Sequence, residues 1–134
     1  MNAEVPAGFE PSARTDPYLD LIGPVYTKVG EGGILLGLRA RTGHCNARGF
    51  VHGAVLAALL DTVCGWNCEA QGPDGTRVLT VNLNVDCLAS AHDGVWLEAS
   101  ATVTRVGRRL AFADGRVDAA GKAVAKASAV FAIP

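Results

Sequence analysis

Apolar positions follow one rhythm before residue 70 and another after it. From about His52 to Glu69 the chain reads "HGAVLAALLDTVCGWNCE", apolar on nearly every side, which predicts one long helix. Beyond the turn residues Gly72, Pro73, Asp74 and Gly75 the period changes to two. In "LTVNLNVDC" Leu79, Val81, Leu83, Val85 and Cys87 are expected on one face, with Thr80, Asn82, Asn84 and Asp86 on the other. "VWLEASATV", "LAFADGRVD" and "AVAKASAVFAI" continue as strands, separated by the breaks "GRR" and "AAGK". Upstream, "YLDLIGPVYTKV" reads as a helical turn and a strand broken near Gly23, and "ILLGLRAR" as a second strand with Ile34, Leu36, Leu38 and Ala40 on one face.

Short turns between strands imply antiparallel neighbours. The expected class is therefore α+β, a curved antiparallel sheet wrapped around one long central helix. Small residues at Ala99, Ala101, Ala123, Ala125, Ala127 and Ala129 let that sheet come close to the helix. Residues 19–134 form one domain. Residues 1–18, with Pro6, Pro11 and Pro17, form a flexible arm or an irregular cap. One helix and one open sheet leave apolar surface and unpaired edges, so a dimer is expected.

Composition narrows this picture only slightly. The 134 residues are 49% hydrophobic, enough for a core. A net charge of −1 gives no reason to expect nucleic acid or an anionic membrane as partner. No apolar run reaches the roughly 20 residues of a membrane span, and the first residues lack a signal-peptide pattern, so a cytoplasmic location is expected. Cys45, Cys64, Cys68 and Cys87 read as reduced thiols, and no paired ligand spacing predicts a metal site.

The chemistry concentrates around one acid. Between Arg48 and Glu69, Asp61 is the only residue with a full charge, counting His as neutral. It is either a structural carboxylate bonded to a neighbour such as Thr62, or a reactive one. The approach to the helix favours the second reading. Gly49 and Gly53 allow close backbone approach, and the first helical turn offers free N–H groups that stabilise a developing oxyanion. Asn46 adds an amide able to hold a water or a carbonyl. Gly53 and Asp61 are eight positions apart, about 12 Å along a helix. One reacting carbonyl cannot touch both in one chain, so joint action requires two chains with antiparallel helices.

The stretches "HCNARGFVHGAVLAALLDTVCG", "TVNLNVDCL", "VTRVGRRLAF" and "DAAGKAVAKASAVF" resemble the hotdog-fold acyl-CoA thioesterases of the phenylacetate-degradation (PaaI-like) family over roughly residues 20–132. The resemblance implies a hotdog fold, a dimer or a tetramer of dimers, and hydrolysis of acyl-CoA thioesters. No separate cofactor is implied, coenzyme A being part of the substrate. By position, Asp61 is the implied general base or nucleophile and the Gly53 N–H polarises the carbonyl. Asn46, supported by His52, orients the water or the carbonyl, and Thr80 lies near the attacking water. Two positions depart from the family. Ala54 stands where a second Gly is common, and Asn82 where the strand commonly has an acid.

Arg105, Arg108 and Arg109 are either a solvated turn or the contact for the CoA phosphates. His44 is expected to brace the loop and His92 to occupy a turn. The competing activities are a hotdog hydratase or dehydratase, which needs a cross-dimer pairing of His52 with Asp61, and a non-catalytic acyl-CoA-binding protein. A serine hydrolase is excluded by the absence of G-x-S-x-G.

Overall fold

In the computed structural model, which describes residues 4–134, a single seven-stranded antiparallel sheet curves around one long helix. The elements are β1 (Glu10–Pro11), α1 (Pro17–Ile22), β2 (Tyr26–Gly30), β3 (Gly33–Arg39), α2 (Gly53–Gln71), β4 (Leu79–Cys87), β5 (Trp96–Val106), β6 (Leu110–Ala119) and β7 (Lys122–Ala132). A 3-10 turn spans Thr42–His44. Strand order across the sheet is β1-β2-β3-β5-β6-β7-β4, so β4 and β5, expected to be neighbours across a short turn, lie apart: β4 pairs with β7, and β5 sits between β3 and β6. Residues 1–3 of the expected arm lie outside the described residues.

Helix α2 forms where the apolar run predicted it and extends two residues further, to Gln71. Its sheet-facing side carries Leu56, Leu59, Leu60, Val63, Cys64 and Cys68, all at most 2% exposed. Of the six small strand residues expected there, Ala99, Ala125, Ala127 and Ala129 are buried, as are Ala111 and Ala113, whereas Ala101 and Ala123 are only half-buried. Strand β6 comes closest at Gly115, where an added Cβ would stand 2.8 Å from Cys64 Sγ and 3.0 Å from Leu60. Burial pushes the Cys64 thiol up to about 12, with Cys68 and nearby acids adding to the effect, so this sulfur is a packing atom.

The buried Asn67 anchors the other end of the helix. Its Oδ1 accepts from the Ile34 N–H at 2.9 Å, and its Nδ2 donates to the Ile34 carbonyl at 3.0 Å and to the Val63 carbonyl at 2.8 Å. The side chain thus pairs with β3 much as a strand would, at a residue that β5 does not reach. Gly33 (φ 100°) makes room for it. Asn67→Leu leaves the half-buried Ile34 N–H and carbonyl, and the buried Val63 carbonyl, without these partners. It is expected to cost about 2–4 kcal/mol in a urea unfolding curve. An unchanged midpoint would show that these bonds contribute nothing.

The N-terminal segment lies across the sheet edge. Phe9 packs edge-on against Trp96 with ring centroids 5.3 Å apart, and residues 10–11 pair with β2. Arg14 stacks over Trp66 at 4.7 Å and pairs with Glu69 at 2.6 Å. Among the described residues, no helix is long and apolar enough to cross a membrane.

One strand departs from its alternation. Opposed residues in an antiparallel pair share a face. Thr80 lies opposite Phe131, but the next pair is Asn82 with Val130, leaving Val81 as an unpaired bulge. The bulge reverses the facing of the residues before it. Thr80 therefore joins Leu83, Val85 and Cys87 on the helix side, opposite Phe131, Ala129, Ala127 and Ala125. Leu79 and Val81, expected to face inward, are instead 63% and 60% exposed.

Candidate active site

The bulge matters because it delivers Thr80 to Asp61. The Thr80 hydroxyl donates to Asp61 Oδ1 at 2.6 Å, a short charge-assisted bond. Asp61 is not the enclosed acid that the apolar run suggested, but half-buried. Thr62 does not hold it: the Thr62 hydroxyl donates back to the Ala58 carbonyl at 2.8 Å. Among the described residues, Thr80 is the one hydrogen-bond partner of Asp61, and Oδ2 is left available.

Asp61 belongs to a stripe. The sheet covers one side of α2, whereas Gly53, Ala54, Ala57, Ala58, Asp61 and Thr62 are half-buried or exposed. These positions recur at helical spacing, so they form one open face. All are small. The Gly53 end and the Asp61 end therefore share one uncovered surface of α2. β4 runs beside it in the opposite direction, with Thr80 at Asp61 and Cys87 at Gly53, where Cys87 Sγ would lie 3.3 Å from an added Cβ. Among the described residues the far edge of β4 has no strand partner, since it pairs with β7 alone.

The helix start has the expected free donors. Val55 donates the first intrahelical bond, to the His52 carbonyl at 2.9 Å. Among the described residues, neither the Gly53 nor the Ala54 N–H has a backbone acceptor. His52 is the N-cap residue, but its exposed ring makes no capping bond, and its N–H donates to the His44 carbonyl at 2.9 Å.

The preceding loop is stapled by Asn46. Its Oδ1 accepts from the N–H groups of Arg48 (2.9 Å) and Phe50 (3.2 Å). Both bonds use the amide oxygen, so Nδ2 of this exposed side chain is left as a donor. His92 does more than occupy a turn: its ring meets Phe50 edge-on at 5.1 Å.

Arg105, Arg108 and Arg109 are exposed on the β5–β6 hairpin and, among the described residues, pair with no carboxylate. They line a shallow cavity of about 600 Å³ with Leu110 and Phe112. The cross-strand row Thr80, Phe131, Ala111 puts that hairpin at the same end of the sheet as Thr80. His44 braces the loop as expected, through a buried ring, whereas sequence pattern missed the place of Cys87 beside Gly53. A period-two reading of β4 that allowed for a bulge at Val81 would have aligned Thr80 with the helix.

A single helix cradled by an antiparallel sheet, with free N–H groups at its start and a carboxylate two turns on, defines the hotdog thioesterase class. The chain belongs to the Thioesterase superfamily, whose family model matches residues 48–126. It is 36% identical over 131 residues to the Pseudomonas aeruginosa protein named "Putative esterase PA0474", covering 97% of this chain and 98% of that one. Among solved structures, a phenylacetic acid degradation-related protein of Ralstonia eutropha JMP134 superposes with a TM-score of 0.81 at 28% identity, covering 90% of this chain and 92% of that one. The Bacillus halodurans protein BH2602, solved with CoA, superposes with a TM-score of 0.81 at 25% identity, covering 92% and 82%. The chain is a thioester hydrolase.

Proposed function

We propose that this protein hydrolyses acyl-CoA thioesters at sites shared between two copies of the chain. The observation that carries this is the open stripe of α2, with Gly53 at one end and Asp61, bonded to Thr80, at the other. Pairing the free β4 edges of two copies antiparallel brings the two stripes together in opposite directions. Such an isologous contact makes two equivalent sites. It also covers Leu79 and Val81, which are otherwise exposed on the bulged edge. A tetramer follows if two such dimers associate.

In each site the thioester carbonyl accepts the Gly53 N–H of the partner copy, and the helix start stabilises the oxyanion. Asp61 takes a proton from water or attacks the carbonyl itself, while the Thr80 hydroxyl fixes its free oxygen toward the reacting carbon. Asn46 Nδ2 and His52 stand at the mouth of the site and orient the water or the carbonyl. Water and acyl-CoA give a carboxylate and the free CoA thiol. The arginines at 105, 108 and 109 suit the CoA phosphates, and a neighbour solved with CoA supports that choice of thiol.

The test is a panel of aryl, short, medium and long acyl-CoAs with a thiol-reactive dye as readout. Release of free CoA from at least one member, weakened at the level of KM by Arg108→Ala with Arg109→Ala, is expected. A panel that releases no thiol would sink this reading.

A further inference from the structure

We propose that His44 is a positioning residue that sets the aim of the oxyanion N–H through the peptide of His52. This rests on the thioester-hydrolysis reading above. His44 is 3% exposed, out of reach of any substrate, yet every polar atom it owns is engaged.

Its ring Nδ1 accepts from the Arg41 N–H at 3.0 Å, and its Nε2 lies 2.6 Å from the Ile22 carbonyl. A carbonyl only accepts and an amide N–H only donates. One neutral tautomer satisfies both, with the proton on Nε2. The backbone of the same residue closes the chain of contacts. Its N–H donates to the Arg41 carbonyl at 2.8 Å, and its carbonyl accepts from the His52 N–H at 2.9 Å.

His44 thus joins two distant pieces. On one side is the C-terminal end of α1, whose carbonyls at Leu21, Ile22 and Gly23 also receive the Arg41 guanidinium. On the other is the peptide immediately before the free Gly53 N–H. With the His52 N–H held and its ψ at 137°, the plane of the 52–53 peptide is set, and so is the direction of the Gly53 N–H. The carbonyl of the same peptide accepts from the Val55 N–H at 2.9 Å, a bond inside the helix, so the tie to His44 is what joins this peptide to the loop and to α1. The His52 ring makes no capping bond, and the other ties of the loop, the Asn46 staple, the Asn46 N–H to the Phe50 carbonyl, the Cys45–Val51 and Phe50–His92 bridges and the Val51 N–H to the Ala91 carbonyl, do not reach His52. Oxyanion donors act through preorganisation, so a small misdirection lowers the rate without weakening ground-state binding.

The experiment compares His44→Leu with His44→Gln. Leucine fills the space but offers neither bond. Glutamine keeps a donor for the Ile22 carbonyl and an acceptor nearby. Assays are run at a temperature where near-UV circular dichroism shows each variant folded. His44→Leu is expected to lose on the order of 10- to 100-fold in kcat with KM changed less than about twofold. His44→Gln is expected to recover most of that loss. A kcat for the folded leucine variant equal to that of the wild type, with only a lower Tm, overturns the proposal. If the wild-type protein itself hydrolyses no thioester, the functional reading fails separately. Amide hydrogen exchange then decides the claim about His44. Faster exchange at His52 in the leucine variant, with Leu60 unchanged, sustains it, and equal rates at His52 overturn it.

Discussion

Replacing Asp61 with Asn is expected to lower kcat by about 10²- to 10⁴-fold, the range that a positioned general base supplies. The change is nearly isosteric. An amide oxygen can still accept from the Thr80 hydroxyl, now 2.6 Å from Asp61 Oδ1, so the bulge and the helix face are kept. The amide can neither take a proton from water nor attack the carbonyl. Loss of turnover with Tm and CoA affinity near those of the wild type identifies the carboxylate as the reacting group. Hydrolysis at the wild-type rate would remove Asp61 from the reaction. Thr80→Val serves as an intermediate case, since it frees Asp61 Oδ1 without removing the charge.

A second large effect tests the shared site. Gly53→Pro removes the N–H at the first helical position, where proline is well accommodated. His52, at φ −61° and ψ 137°, already has the extended backbone that a following proline requires. Each of Gly53→Pro and Asp61→Asn is expected to be nearly inactive alone. Unfolding them together and refolding the mixture should restore activity. Half the dimers are then mixed, each with one intact pair of Gly53 and Asp61, so roughly a quarter of the wild-type rate returns. A mixture as inactive as its components would place both groups of a working site in the same chain.

Much of this architecture was legible because it follows from local rules. The long apolar run needs a helix, and alternation with turn residues needs antiparallel strands. The start of α2 at Gly53 and the breaks before β6 and β7 follow from the same rules. The candidate site was legible in its parts: Gly53 with an unengaged N–H, Asp61 on the same helix, and three arginines on one hairpin. Its connections were less so. Asn46 is braced by the Arg48 and Phe50 N–H groups, which depends on the path of the loop. His44 reads as a brace for its loop, but the partner it braces against, the carbonyl of Ile22 22 positions away, is set by the fold.

The facing of Thr80 shows where local reading stops. An unbroken alternation in "LTVNLNVDC" sends Thr80 away from the helix, and only pairing with β7 reveals Val81 as an extra residue. A side-chain period of two carries no record of a bulge, because a bulge is a mismatch between two strands and not a property of one. By itself the amino-acid sequence determined the long helix, the longer strands, their antiparallel sense and the presence of an acid and a helix start eight residues apart, but not which strands are neighbours. The tertiary structure decided that both lie on one uncovered stripe, that Thr80 turns inward to hold Asp61, and that β4 keeps a free edge beside them. Those outcomes come from long-range contacts between strands and helix, whose energies depend on which surfaces meet and not on the residues of either segment alone.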